Sequence, residues 1–412
     1  MAIPRQRVLL PPSFLSALAM SPAGLLSRGD FCRQFEENFA SAMQVKSAVA
    51  TPSGRAALRF IIEALGLQAG DEIICSAYGY PVVPYLVRQL GYALRLADCE
   101  MTSLGMDPHA LEAAITPRTR AVIVTHLFGV PCDIAALSTI TRQHGVALIE
   151  DCAHACGASV GGMPTGAWGD AAYFSFETSK SINTLGGGMI TLREDKLENT
   201  IRGLLDAEAP QSYSWLAKRL ASTFFEALMT NPLVFSLCAY PALRILMRSE
   251  KGKSHFSSGY DGDAVSMVGR MGRYTEYQAQ LGLPQLAQLE RDNTRRRALA
   301  TSMIASLKVE APFQQPTGEE AIANYMLLTA RFLSADAAAK KLLLQGVDCK
   351  HHYMRDCSAL LEETAVFPKA AQAQEQVLHL PAYPGMSEKQ QQQVVRAVKQ
   401  LAKTAPGLIL ST

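Results

Sequence analysis

The chain has 412 residues, 48% of them apolar and 18% charged, with a formal net charge of +2 from 39 basic and 37 acidic side chains. That composition excludes disorder and supplies apolar mass for a large core, in two domains or three small ones. The near balance of charge excludes a general field for nucleic acid or an anionic membrane.

The first twenty residues carry Arg5 and Arg7 before an apolar stretch, as a signal peptide would. Pro11 and Pro12 interrupt that stretch and no clear small-residue cleavage site follows, so secretion is not expected. No run reaches the roughly 18 apolar residues of a membrane-spanning helix. The nine cysteines form no Cys-x-x-Cys pair, and no Cys/His cluster has zinc spacing. Their odd number and apolar surroundings point to free thiols in a reducing compartment, the cytoplasm, and to no metal site.

From Val49 to Thr191 the pattern alternates between short apolar runs and helical stretches. It predicts helices over 53–65, 81–90, 108–114 and 134–144. Strands are predicted over 72–75, 93–97, 121–125, 147–150, 171–176 and 188–191. Repeated βα units with near-continuously apolar strands predict an α/β fold, a mostly parallel sheet covered by helices. In such sheets ligands sit beyond the carboxyl ends of the strands. Residues 206–256 read differently. An amphipathic stretch with Trp215, Phe224 and Phe225 leads to an apolar run broken by Pro241, then to Arg244, Arg248, Lys251 and Lys253. This insertion reads as a helical segment packed on its own domain or on a second subunit. It also reads, over 212–253, as a peripheral contact for a membrane or an apolar substrate. A long helix over 274–307 follows. Then come a strand over 323–331, a helix over 335–345, a strand from Val347 and a terminal helix over 388–403 behind Ser387.

Three segments carry chemistry. In Ala50-Thr-Pro-Ser-Gly-Arg-Ala-Ala-Leu58 a strand gives way to a helix, where unpaired N–H groups and the helix dipole cradle phosphate. Gly54 permits close approach and Arg55 adds charge, although Ser-Gly before a helix also serves as an ordinary cap. In Leu148-Ile-Glu-Asp-Cys-Ala-His-Ala-Cys-Gly157 an apolar strand ends in Glu150 and Asp151. A carboxylate there can hold a pyridine nitrogen protonated and so make the ring an electron sink, or it can bind metal or cap a helix. In Ala172-Tyr-Phe-Ser-Phe-Glu-Thr-Ser-Lys-Ser-Ile-Asn-Thr-Leu-Gly-Gly-Gly-Met-Ile190 a strand stops and Lys180 sits in the turn after it. A lysine in a partly apolar pocket can form an imine, and Ser175 is placed to reach a phosphate.

Cradle, acid and lysine in that order, each at a strand end, resemble the DegT/DnrJ/EryC1/StrS aminotransferases. Further landmarks are Phe35-Glu-Glu-Asn-Phe-Ala40, Thr125-His-Leu-Phe-Gly129, Arg273-Tyr-Thr-Glu-Tyr-Gln-Ala279 and Leu380-Pro-Ala-Tyr-Pro-Gly385. The resemblance implies a fold-type I enzyme dependent on pyridoxal 5'-phosphate. It implies a large cofactor-binding domain over 1–272 with an N-terminal arm over 1–30. A bridging helix over 273–307 and a small C-terminal α/β domain over 308–412 complete the chain. By the same resemblance Lys180 is the lysine that bonds the cofactor and moves the proton, and Asp151 is the partner of the pyridine nitrogen. His154 lies near the phenolic oxygen, Ser175, Gly54 and Arg55 near the phosphate, and Tyr80 stacks on the ring. The substrates implied are an amino donor, glutamate by analogy, and a keto or aldehyde acceptor, mostly a nucleotide-linked keto-sugar. A homodimer is implied as well. Other readings are a dehydratase, whose relatives replace the lysine with histidine, and a cofactor-binding regulator without turnover. His351, His352 and Tyr353 are candidates for the acceptor pocket. The chain departs from the family pattern at Arg55, at Gly79, at Met271 in place of a partner-reaching asparagine, at Leu185-Gly-Gly-Gly188 and in the insertion.

Overall fold

The structure, a computed structural model, describes residues 1–18, 22–246, 272–360 and 365–410. Seven strands build the main sheet: β1 (Ser47–Thr51), β2 (Glu72–Ser76), β3 (Ala93–Ala97), β4 (Thr119–Thr125), β5 (Ala147–Asp151), β6 (Ala171–Ser175) and β7 (Gly188–Leu192). Their order is β1-β7-β6-β5-β4-β2-β3. Strands β2 to β6 run parallel, as expected of strands joined through helices. Strand β7 follows β6 through a loop without a crossover helix and so pairs antiparallel with it and with β1. β2 is buried throughout and β4, β5 and β6 nearly so, because helices cover both faces.

The helix Gly54–Ala64 shows why the site lies where it does. Ser53 caps it by accepting from the Ala56 N–H. Its apolar residues, from Ala56 and Leu58 to Phe60, Ile61 and Ile62, run almost round its circumference, so it is pressed into the core. That burial fixes its N-terminus at the edge of β1.

A smaller antiparallel sheet has the order β8-β10-β9, with β8 (Leu328–Arg331), β9 (Lys350–His351) and β10 (Val377–Leu380). The helix Glu276–Leu307 supplies Ala279 to the apolar cluster around Phe35, and Ala300, Met303 and Leu307 to the cluster beneath this second sheet. Two strands are shorter than their apolar patterns predict. Only Leu328–Arg331 of 323–331 is strand, because the Asn324 amide turns aside to donate to the His154 and Cys156 carbonyls. Of the strand predicted from Val347, only Lys350–His351 forms, while Val347 bridges to Ile3 of the N-terminal arm.

The insertion holds two helical stretches, Tyr213–Met229 and Pro232–Leu246. No single helix among the described residues is long and apolar enough to cross a membrane; these two pass that test only together and are bent by 65°. Met271, Arg248, Lys251 and Lys253 lie outside the described residues.

Candidate active site

Register brings the chemistry to one edge of the main sheet. Thr51, Gly188 and Ser175 are successive partners across β1, β7 and β6. Thr125, Asp151 and Tyr173 form the corresponding row across β4, β5 and β6. The N-terminus of Gly54–Ala64 follows directly from the first row. A cavity of about 340 Å³ lies against these ends, within the range of roughly 300–1,000 Å³ usual for small-molecule sites. Gly54, Arg55, Tyr80, Asp151, His154, Ser175 and Lys180, far apart in sequence, all line it.

The adjacent carboxylates take opposite directions, as neighbours on a strand must. Glu150 is fully buried and saturated. It accepts from the Gly166, Trp168 and Gly169 N–H groups at 2.9, 2.8 and 2.8 Å, and meets His126 Nε2 at 3.0 Å. Asp151 faces the cavity. The Ala153 N–H donates to it at 2.9 Å, and it has no ion-pair partner among the described residues. Burial raises its carboxyl above the ordinary value, against the opposing pull of the Ala153 N–H, the Tyr173 hydroxyl and the Lys180 charge.

His154 is held by the Phe128 N–H, which donates to Nδ1 at 3.2 Å. Burial, then the charges of Lys180 and His379, push its basicity well below the usual histidine range. A neutral imidazole that accepts at Nδ1 carries its proton on Nε2, so the ring is a donor on its other side. Its ring lies 5.6 Å from that of Tyr353 at 24°, and Tyr353 lies 6.2 Å from Tyr80 at 27°. Of the acceptor-pocket candidates only Tyr353 reaches the cavity. His351 is buried facing Asp336 at 3.3 Å, and His352 is not among the residues that line this cavity.

Lys180 stands in a turn closed by its own N–H on the Glu177 carbonyl at 2.9 Å. The loop that carries it is pinned from the long helix. Gln278 donates to the Thr184 and Gly186 carbonyls at 3.3 and 3.1 Å, and Gln285 exchanges bonds of 2.9 and 2.8 Å with the Asn183 backbone. Sequence reasoning gave these glutamines no role. Their spacing of seven residues, two helical turns, was the available signal. A second cavity, about 420 Å³, shares Thr178, Ser179 and Lys180 with the first. Its walls carry Arg7, Arg291, Arg295 and Arg296 against the single carboxylate of Asp292.

These residues fit pyridoxal phosphate. Asp151 is a buried acid that faces the cavity, a setting that suits a protonated pyridine nitrogen. The first turn of Gly54–Ala64 presents N–H groups to an anion. A side chain at Gly54 would stand 3.2 Å from Ser175 Cβ and crowd that cradle.

Comparison with known proteins decides the family. The model of the DegT/DnrJ/EryC1/StrS aminotransferase family matches residues 15–232 and 233–399. The chain belongs to this family. It is a fold-type I aminotransferase dependent on pyridoxal phosphate. The spore coat polysaccharide biosynthesis protein SpsC of Bacillus subtilis is 28% identical over 399 residues, 93% of this chain and 92% of that one. GDP-perosamine synthase of Caulobacter vibrioides is 38% identical over 183 residues, 44% of this chain and 49% of its own. Among solved structures, the aminotransferase TlmJ of Streptoalloteichus hindustanus superposes with a TM-score of 0.78 at 23% identity, covering 98% of this chain and 100% of that one. As a family member the chain takes an amino donor and an acceptor substrate.

Proposed function

We propose that this aminotransferase moves an amino group from an amino acid, glutamate by family analogy, to a nucleotide-linked keto-sugar used in polysaccharide or secondary-metabolite synthesis. The observation that carries the site assignment is the convergence on one cavity of a helix N-terminus, a buried carboxylate without an ion-pair partner and a lysine. In this reading the cofactor, when bound, supplies the electron sink. Lys180 bonds it and moves the proton at the substrate carbon. Asp151 holds the pyridine nitrogen protonated. His154 donates from Nε2 to the phenolic oxygen. Gly54, Arg55 and Ser175 hold the phosphate, and Tyr80 covers the ring. The named activities of relatives such as GDP-perosamine synthase support a sugar acceptor. The arginine-rich second cavity supports an acceptor that carries phosphate.

The finer organisation belongs to the same proposal. Residues 1–272 form the cofactor-binding domain, 273–307 the bridging helix and 308–412 the small domain, in a cytoplasmic homodimer. A second reading, an apolar or membrane-proximal acceptor, is favoured by the insertion. Phe224, Phe225, Leu228, Leu233, Leu237 and Ile245 are all exposed there, Leu237 by 71%. Lys218 and Arg244 lie among them, and Glu226 is the only carboxylate between Ser212 and Glu250. That pattern suits the surface of an anionic bilayer.

The test is a visible absorbance spectrum of purified protein before and after glutamate, followed by a panel of nucleotide-linked keto-sugars. Loss of the cofactor band on adding glutamate, and its return with one of the sugars, is expected. Lys180→Ala is expected to bind cofactor and lose turnover. Retained turnover in that variant defeats the assignment of Lys180, and a band returned only by apolar ketones defeats the sugar reading.

A further inference from the structure

The insertion reaches the segment that carries Lys180. Arg219, on the helix Tyr213–Met229, forms an ion pair through Nη2 with Glu177 Oε2 and donates through Nε to the Leu185 carbonyl. Two turns further on, Glu226 Oε2 accepts from Thr178 Oγ1 at 2.7 Å. Leu216 of the same helix packs in a buried cluster with Leu185, Tyr277 and Leu281. Arg219 and Glu226, seven residues apart, share one helix face, while Phe224, Phe225 and Leu228 occupy the opposite, exposed face.

We propose that the helix Tyr213–Met229 is a working part of the active site, with Arg219 and Glu226 as positioning residues that hold segment 177–185, and so Lys180, against the cofactor cavity. The segment leaves the sheet at Ser175 and rejoins it at Gly188, so it has no ladder to fix it. Gln278 and Gln285 pin its far end at 183–186. Among the described residues, the side-chain bonds of Glu177 and Thr178, just ahead of the lysine, both come from the insertion. The arginine fork suits the task because its planar nitrogens bridge a carboxylate and a carbonyl at once, which a lysine ammonium on its flexible stem does less well. Displacing a reacting group by about 1 Å costs on the order of 100-fold in rate, so even partial loosening is visible in turnover.

The proposal rests on Lys180 being the amine that bonds the cofactor, and its test keeps the two apart. Hydrogen exchange is measured by mass spectrometry on full-length protein stripped of cofactor, for wild type and Arg219→Ala. Steady-state kinetics are measured on the same proteins after reloading. The expected result is faster exchange confined to 177–185 and its helix contact. It comes with kcat lower by roughly tenfold or more and donor KM within about twofold. Glu177→Ala added to Arg219→Ala is expected to cost little more than Arg219→Ala alone, which already removes the bond that Glu177 makes. Arg219→Lys is expected to fall between wild type and Arg219→Ala. If Arg219→Ala does not fold, Glu226→Ala, which removes only the bond to Thr178, is read in the same way. Unchanged exchange at 177–185, or exchange raised evenly through the protein with kcat intact, overturns the proposal. Turnover retained in Lys180→Ala would remove the role of Lys180 while leaving the exchange result to report on the loop itself.

Discussion

Glu150 and Asp151 are neighbours in sequence, both carboxylates and both buried, yet the structure gives them opposite effects on stability. Glu150→Gln keeps the shape and exchanges one oxygen for an NH2 group. With the remaining oxygen turned to Trp168 and Gly169, that NH2 group faces the Gly166 N–H, which then loses its acceptor. An orphaned buried donor costs about 1–3 kcal/mol, and hydrogen bonds to a charged group are worth about 1.5–3 kcal/mol each. The expected loss is about 2–4 kcal/mol. Asp151→Asn removes a charge that burial disfavours. The sign follows from its raised carboxyl: below the ordinary value of 3.8 the residue is neutral in both folded and unfolded chains, and no penalty exists. The penalty grows as pH rises from there through the raised folded value, and above it is fully present. At neutral pH the cofactor-free Asp151→Asn protein is therefore expected to be as stable as wild type or more so, by up to about 1 kcal/mol, while its affinity for the cofactor falls. Urea unfolding of cofactor-free protein, followed by circular dichroism, and cofactor titration of the same samples measure both effects. A loss under about 0.5 kcal/mol for Glu150→Gln, or a loss for Asp151→Asn equal to it, would refute the assignment of one carboxylate to structure and the other to chemistry.

Two further outcomes are expected. Gly187→Ala sets a Cβ 2.4 Å from Tyr274 Cε2 at a residue with φ of +100°, so backbone strain and overpacking together should cost about 2–4 kcal/mol and loosen the lysine loop; an unchanged melting temperature would show that the ring simply moves aside. Phe224→Ser with Phe225→Ser should weaken sedimentation with vesicles rich in anionic phospholipid, and high salt should weaken it further; wild type that leaves such vesicles unbound in low salt would remove the membrane reading.

The sequence alone determined the strands of the main sheet and pointed to the candidate residues at their ends, which the fold brings to one cavity. Strands buried on both faces must be almost wholly apolar, and their ends are marked where polar residues begin, so the Glu150-Asp151 pair, Ser175 and the Gly54 turn were legible from local pattern. The resemblance then gave Asp151, Lys180 and His154 their expected roles. Local pattern did not separate Glu150 from Asp151, because direction on a strand depends on which face the neighbours cover. It overextended the strand at 323–331, where the Asn324 amide finds carbonyls from residues 170 and 168 positions away in sequence. It also left the insertion undecided between packing and exposure. The tertiary structure supplies both, since a helix of seventeen residues has two sides: one bonds the lysine loop and the other is left apolar and exposed. Arg219 and Glu226 look like ordinary helix-surface charges in the sequence. Only the folded chain sets Glu177 and Thr178, 42 and 48 residues earlier, against them.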